Sequence, residues 1–150
     1  MPLLLGGCNQ SSSVLKYEIH GDAVTITGCD EDVSGELVIP NAIKGKPVTS
    51  IGGGAFYRCT NITNITIPDG VTSIGEAAFL FCSSLTSITI GNSVTSIANG
   101  AFSDCISLTG ITIPDGVTSI GNYAFRDCTR LTSITICLLY TSDAADDCRC

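Results

Sequence analysis

The chain contains no tryptophan, one methionine and a single histidine, His20, and its 7 lysines and arginines are outnumbered by 14 aspartates and glutamates. A net charge of −7, with no basic cluster, lacks the electrostatic footprint that a phosphate backbone demands, so nucleic acid is not an expected partner. No apolar run reaches the roughly 18 residues that a membrane-spanning helix needs. The lone His20 falls at an expected hairpin turn, with no serine or cysteine motif beside it to make it a general base. Gly52-Gly53-Gly54 is not followed by Gly-Lys-Ser/Thr and has no Rossmann spacing around it, so it is not a phosphate loop. Asp30, Glu31 and Asp32 lack the ligand spacing of an EF-hand and are expected to form a solvated acidic loop. Together these absences leave no acid/base pair, no activated nucleophile and no cofactor or metal site, and an enzyme is not expected.

What the chain has instead is a repeat. Ile51, Ile74, Ile97 and Ile120 fall in register every 23 residues, and the columns that follow keep step. These are Ala55, Ala78, Ala101 and Ala124; Phe56, Phe79, Phe102 and Phe125; Cys59, Cys82, Cys105 and Cys128; and Ile62, Leu85, Leu108 and Leu131. Ile65, Ile88, Ile111 and Ile134 come next, then Ile67, Ile90, Ile113 and Ile136. Self-similarity at such a period is the signature of a solenoid. In the second copy Ala78, Phe79, Cys82 and Leu85 share the face of a short helical turn, whereas Ile88 and Ile90 alternate with Ser87 and Thr89 as in a half-buried strand. Pro68-Asp69-Gly70, Gly91-Asn92-Ser93 and Pro114-Asp115-Gly116 supply turn chemistry after the strand. One unit cannot offset its own backbone-ordering cost of about 1 to 2 kcal/mol per residue. The copies must therefore stack, and the expected product is a continuous parallel sheet.

These residues resemble the BspA-like, or treponemal-type, leucine-rich repeats, over Val48 to Ile136. Leu85, Ile88 and Ile90 follow the LxxLxL strand signature. Gly70, Ser93 and Gly116 stand where many leucine-rich repeats carry asparagine, so an asparagine ladder is not expected. The resemblance implies a repeat solenoid of leucine-rich-repeat type, with a short helical turn and a parallel β-strand per 23-residue repeat. Alternation at Tyr17 and Ile19, a turn at Gly21-Asp22, and alternation at Val24 and Ile26 add an N-terminal β-hairpin cap. The organisation expected is a truncated lipoprotein signal and tether over residues 1–13, a cap with a degenerate repeat over 14–47, repeats over 48–136, and a non-repeat tail over 137–150. Leu5-Gly6-Gly7-Cys8 resembles a bacterial lipobox, which would make Cys8 a lipid anchor and the sole membrane attachment. From Cys137 onward the register is lost and the sequence resembles translated adapter DNA, so the tail is read as an assembly artefact. Cys148-Arg149-Cys150 is accordingly not read as a site.

Cysteines at the repeat period are expected to stack as buried thiols, which leaves Cys29 without a role. The outward strand positions Asn64, Thr66, Ser87, Thr89, Thr112, Ser133 and Thr135 form the candidate binding face. β-Branched residues suit a pleated surface whatever they bind, so a plain structural reading stands beside the binding one. The family resemblance implies an extracellular, surface-displayed adhesion module whose partner is a protein or glycan on host or neighbouring cells. The alternative is a structural spacer, or a fragment of a longer repeat protein whose functional part lies downstream. An uncovered last repeat, near Ile134 and Ile136, would favour self-association.

Overall fold

A computed structural model describes residues 12–136. Strands β1 (Leu15–His20) and β2 (Ala23–Cys29) form an antiparallel hairpin. The turn between them relies on Gly21, whose φ of 64° is the left-handed conformation that glycine adopts at no steric cost. Lys46 holds this turn to the next strand, donating to the Gly21 carbonyl at 3.0 Å and lying 3.5 Å from Asp22. The hairpin is the cap expected from the sequence, and β2 is also the first rung of a parallel ladder. That ladder continues through β5 (Lys46–Ile51), β7 (Ser73–Ile74), β9 (Ser96–Ile97) and β11 (Ser119–Ile120), with β4 (Ala42–Ile43) antiparallel to β5. Isoleucine sits beside isoleucine along it: Ile26, Ile51, Ile74, Ile97 and Ile120 are successive partners.

A second parallel ladder carries the strands expected from the LxxLxL signature. It comes in two pieces: β3 (Gly35–Val38), β6 (Ile62–Thr66) and β8 (Ser87–Thr89) form one, and β10 (Gly110–Ile113) with β12 (Ser133–Ile136) the other. The expectation of one continuous sheet is therefore corrected twice. Each turn of the solenoid contributes to two ladders, and the second is interrupted between β8 and β10. At the break Thr109 N–H reaches the Thr86 carbonyl at 3.3 Å, against 2.8 Å for the preceding Thr86 to Thr63 bond. Gly110 stands there where Asn64, Ser87 and Ser133 stand elsewhere, and glycine within a strand weakens it.

The expected helical turn is also corrected, because residues 53–58 and their equivalents form tight turns with no helix. The reason is visible in the backbone. Gly54, Ala77, Gly100 and Tyr123 have φ between 56° and 64°, and so do Arg58, Phe81, Asp104 and Asp127. A left-handed residue at two points of each repeat interrupts any right-handed helix. Hydrogen bonding then alternates residue by residue. Gly54, Phe56 and Arg58 donate to the next turn at Glu76, Ala78 and Leu80, while Ala55, Tyr57 and Cys59 donate back within their own turn.

Between the ladders lies one continuous core. Phe56, Phe79, Phe102 and Phe125 stack with centroids 5.1, 5.1 and 5.5 Å apart and planes within 6° of parallel. The spacing matches the rise between neighbouring strands, about 4.8 Å. Ile120, Ile134 and Ile136 on the last described turn are exposed, whereas their equivalents deeper in the stack are buried.

Two substitutions test this backbone account. Ala77 has the left-handed conformation that Gly54 and Gly100 fill with glycine in the neighbouring repeats, so Ala77→Gly should stabilise the fold by about 0.5–1 kcal/mol, the relief of strain less the entropy of glycine. Gly91→Pro would copy the Pro-Asp-Gly turn of the neighbouring repeats, yet a Cβ at Gly91 would lie 2.4 Å from the Pro68 carbonyl oxygen. It should destabilise by about 1–3 kcal/mol, as overpacking does. Thermal unfolding followed by circular dichroism measures both, and a stabilised Gly91→Pro chain would contradict the close approach.

Candidate functional site

The candidate face is built by the second ladder. With Ile65, Ile88 and Ile111 turned into the core, the alternation of the strand turns Asn64, Thr66, Ser87, Thr89, Thr112, Ser133 and Thr135 outward. Asn64 and Thr66 are half-buried and the other five exposed. Asn64 donates through its side-chain amide to the Ser87 hydroxyl and accepts from the Thr63 hydroxyl at 2.8 Å. Thr66 and Thr89, together with Asp69 and Asn92, border a cavity of about 380 Å³.

Threonines at the edge of this face have another task. The hydroxyls of Thr86, Thr109 and Thr132 donate to the backbone carbonyls of Thr63, Thr86 and Thr109 at 3.0–3.4 Å. The backbone amides of the same residues donate to the same carbonyls. A second threonine ladder, Thr72, Thr95 and Thr118 onto Thr49, Thr72 and Thr95, runs beside the first sheet at 3.2 Å in every rung. These threonines fasten turn to turn. Where other leucine-rich repeats use asparagine, this chain uses those hydroxyls and two further bonds from turn to turn: Asn92 N–H donates to Asp69 Oδ1 at 3.0 Å, and Asn122 N–H to Asn99 Oδ1 at 2.7 Å.

A surface the sequence analysis missed lies on the turn side. Arg58 places its guanidinium 5.4 Å from the Tyr57 ring centroid and 5.5 Å from that of Phe81, and the two rings meet edge to face at 6.0 Å. All three are exposed. The signal was present in the columns between Ala-Phe and Cys, the ones that do not repeat: Tyr57, Leu80, Ser103 and Arg126, then Arg58, Phe81, Asp104 and Asp127. Beside the cluster a cavity of about 530 Å³ is lined by Lys16, Glu31, Cys29 and Cys59.

All five cysteines among the described residues are free thiols. Cys82 and Cys105 are fully buried, and their thiols donate to the Phe56 and Phe79 carbonyls at 3.1 and 3.2 Å. Half-buried Cys128 does the same to Phe102 at 3.0 Å. Burial pushes the Cys82 thiol up to about 12. Cys29 extends the column, its Sγ lying 3.1 Å from that of Cys59. A hydrogen bond shared by these two thiols holds Cys59 below the ordinary thiol range and raises Cys29, because the sulfur that keeps its proton donates it to the one that has lost it.

His20 lies at the end of β1 with Nε2 3.2 Å from Glu18, and both side chains are exposed. Asp30, Glu31 and Asp32 are exposed as well. Among the described residues no group of three or more histidines, cysteines, aspartates and glutamates is gathered around one point. No helix among them is long and apolar enough to cross a membrane. Cys8, the tether and the tail over residues 137–150 lie outside the described residues.

A family model for the BspA type leucine rich repeat region matches residues 41–143 in 6 copies. The chain belongs to the BspA-type leucine-rich-repeat family. The matched region begins before Val48 and runs past Ile136. Solved structures similar to this BspA-type chain include a leucine-rich repeat protein from Bacteroides capillosus, with 32% identity and a TM-score of 0.74 over 81% of this chain and 93% of that one. A leucine-rich repeat protein from T. pallidum is 28% identical with a TM-score of 0.71, covering 82% of this chain and 69% of that one. A leucine rich cell surface protein from Faecalibacterium prausnitzii is 27% identical with a TM-score of 0.61, covering 82% and 41% respectively. No curated protein matches the sequence.

Ionisation of Cys82 gives a pH test of the BspA-type core. Its thiol stays protonated in the fold up to about 12, whereas an ordinary thiol ionises at 9.0. The unfolded chain therefore releases a proton that the folded chain keeps. The associated stability is fully present below 9.0 and is lost as pH rises toward about 12. Tm measured across that interval should fall more steeply for the wild type than for Cys82→Ala, and parallel curves would contradict the assignment.

Proposed function

We propose that this chain is a surface-displayed binding module, without catalytic activity, that holds a protein or glycan partner on the face made by Asn64, Thr66, Ser87, Thr89, Thr112, Ser133 and Thr135. The observation that carries the reading is the row itself: outward hydroxyl and amide groups repeated from turn to turn beside a cavity of about 380 Å³. The ladder of Thr86, Thr109 and Thr132 at the edge of the row holds its backbone in place, so a partner that hydrogen-bonds to it orders little that is not already ordered. Small polar side chains without charge suit a ligand rich in hydroxyl or amide groups. Surface display draws support from the F. prausnitzii neighbour, described as a cell surface protein. The lipobox resemblance around Cys8 would supply a lipid anchor. The exposed cluster of Tyr57, Arg58 and Phe81 favours a second contact surface for a protein partner, since aromatic residues and arginine dominate binding energy at interfaces.

Immobilised chain probed with glycan arrays and with extracellular matrix proteins tests the reading. Saturable binding to one member is expected. The pair Thr66→Lys and Thr89→Lys should weaken it by about tenfold or more, about 1.4 kcal/mol, with Tyr57→Ala as the comparison that reports on the turn-side surface. An empty panel, or binding indifferent to both sets of changes, would overturn the proposal.

A further inference from the structure

Cys29 stands apart from the repeated cysteines. It ends β2, in the cap, and its sulfur lies 3.1 Å from that of Cys59 in the first full repeat. Two sulfurs need to come within about 2.05 Å to be bonded, so a movement of about 1 Å joins them. Both residues line the cavity of about 530 Å³ together with Lys16, Glu31, Tyr57 and Arg58, with Cys59 half-buried and so the more accessible, and Cys29 buried. By contrast Cys82 and Cys105 are fully buried, each bonded to a backbone carbonyl. Lys16 and Arg58 outnumber the one acid that lines the cavity, Glu31, so a small molecule that carries carboxylates meets a net positive lining; at Cys29 itself Asp30 opposes the thiolate and Lys16 favours it.

We propose that Cys29 and Cys59 form an oxidation site, at which exchange with a small anionic disulfide entering the cavity joins the two sulfurs and clamps the N-terminal hairpin to the first repeat. Cys59, which loses its proton to solvent, attacks one sulfur of the small disulfide as a thiolate. A mixed disulfide forms on Cys59 and the first small thiolate leaves, taking up a proton. Cys29, deprotonated in turn, attacks the Cys59 sulfur; the protein disulfide forms and the second small thiolate leaves and is protonated. Two protein thiols are oxidised and one small disulfide is reduced to two thiols. Ionisation supports the order of attack, since the hydrogen bond from Cys29 favours the Cys59 thiolate. The chemistry is independent of what the module binds.

The test uses the full chain and oxidised glutathione as the disulfide. After exposure and alkylation of the remaining thiols, digestion with trypsin and chymotrypsin together separates Cys59 from Cys82 and Cys105 by cleavage at Arg58, Phe81 and Phe102. Mass spectrometry should find Cys29 and Cys59 in one linked peptide. The oxidised chain should unfold several degrees above the reduced one, and Cys29→Ala should lose that increment and retain glutathione on Cys59. Recovery of Cys29 and Cys59 both alkylated, or Cys59 linked to Cys82 instead, would overturn the proposal. The peptide map of the wild type decides the matter even if Cys29→Ala folds poorly.

Discussion

The structure depends on the backbone hydrogen bonds that tie each turn to the one 23 residues away, as between Thr72 and Thr49 or Thr95 and Thr72. They hold neighbouring turns at a fixed separation, and every side chain must then live directly above and below its own equivalent. Apolar, aromatic and hydroxyl groups tolerate this arrangement. Like charges do not, since at a few ångströms they repel without relief inside a low-dielectric stack. The repeated columns of the core and its ladders are accordingly Ile, Ala, Phe, Cys, Leu and Thr, and charged residues lie in the variable columns of the surface, where Asp104 and Asp127 do follow one another at a turn that water reaches.

The same constraint explains how one residue type serves two ends. A threonine at the edge of a strand closes a second bond to a carbonyl that already accepts from its own amide, while the threonine three positions later points to solvent. Chemistry available for binding is thereby separated from chemistry used for stacking, although both are written in the same amino acid. The cysteine column divides in a similar way. Its middle members are sealed by the turns on either side and donate hydrogen bonds to backbone carbonyls. Cys59, beside the cap, faces a sulfur from outside the repeat and an open cavity.

Family membership groups the chain with leucine-rich-repeat proteins such as those of T. pallidum and B. capillosus. It does not decide which surface is used, because fold alone does not fix function. The two surfaces differ in kind. One is a polar row that recurs along the solenoid with a break at Gly110, and the other is an aromatic and guanidinium cluster confined to Tyr57, Arg58 and Phe81. A repeating row can engage a repeating or extended partner. A local cluster can engage only one place on its partner.

Sequence by itself determined the period, the identity of the core columns and the hairpin cap, because burial at a fixed spacing leaves an apolar pattern that can be counted from Ile51 to Ile136. It also placed Asn64, Thr66 and their equivalents outward, since alternation along a strand follows from the pleat. Only the tertiary structure decided that Thr-Ser-Ile forms a ladder of its own. Two paired residues per turn, as at Ser73–Ile74, are too few to show a period of two. Only the structure could replace the helical turn by left-handed turns, because a three-to-four spacing of apolar residues records which side chains point inward and says nothing of the sign of φ. The meeting of Cys29 with Cys59, and of Arg58 with Tyr57 and Phe81, was likewise closed to sequence reasoning. Those contacts join positions that share no column of the repeat, and what brings them together is the packing of the cap and of one turn on the next.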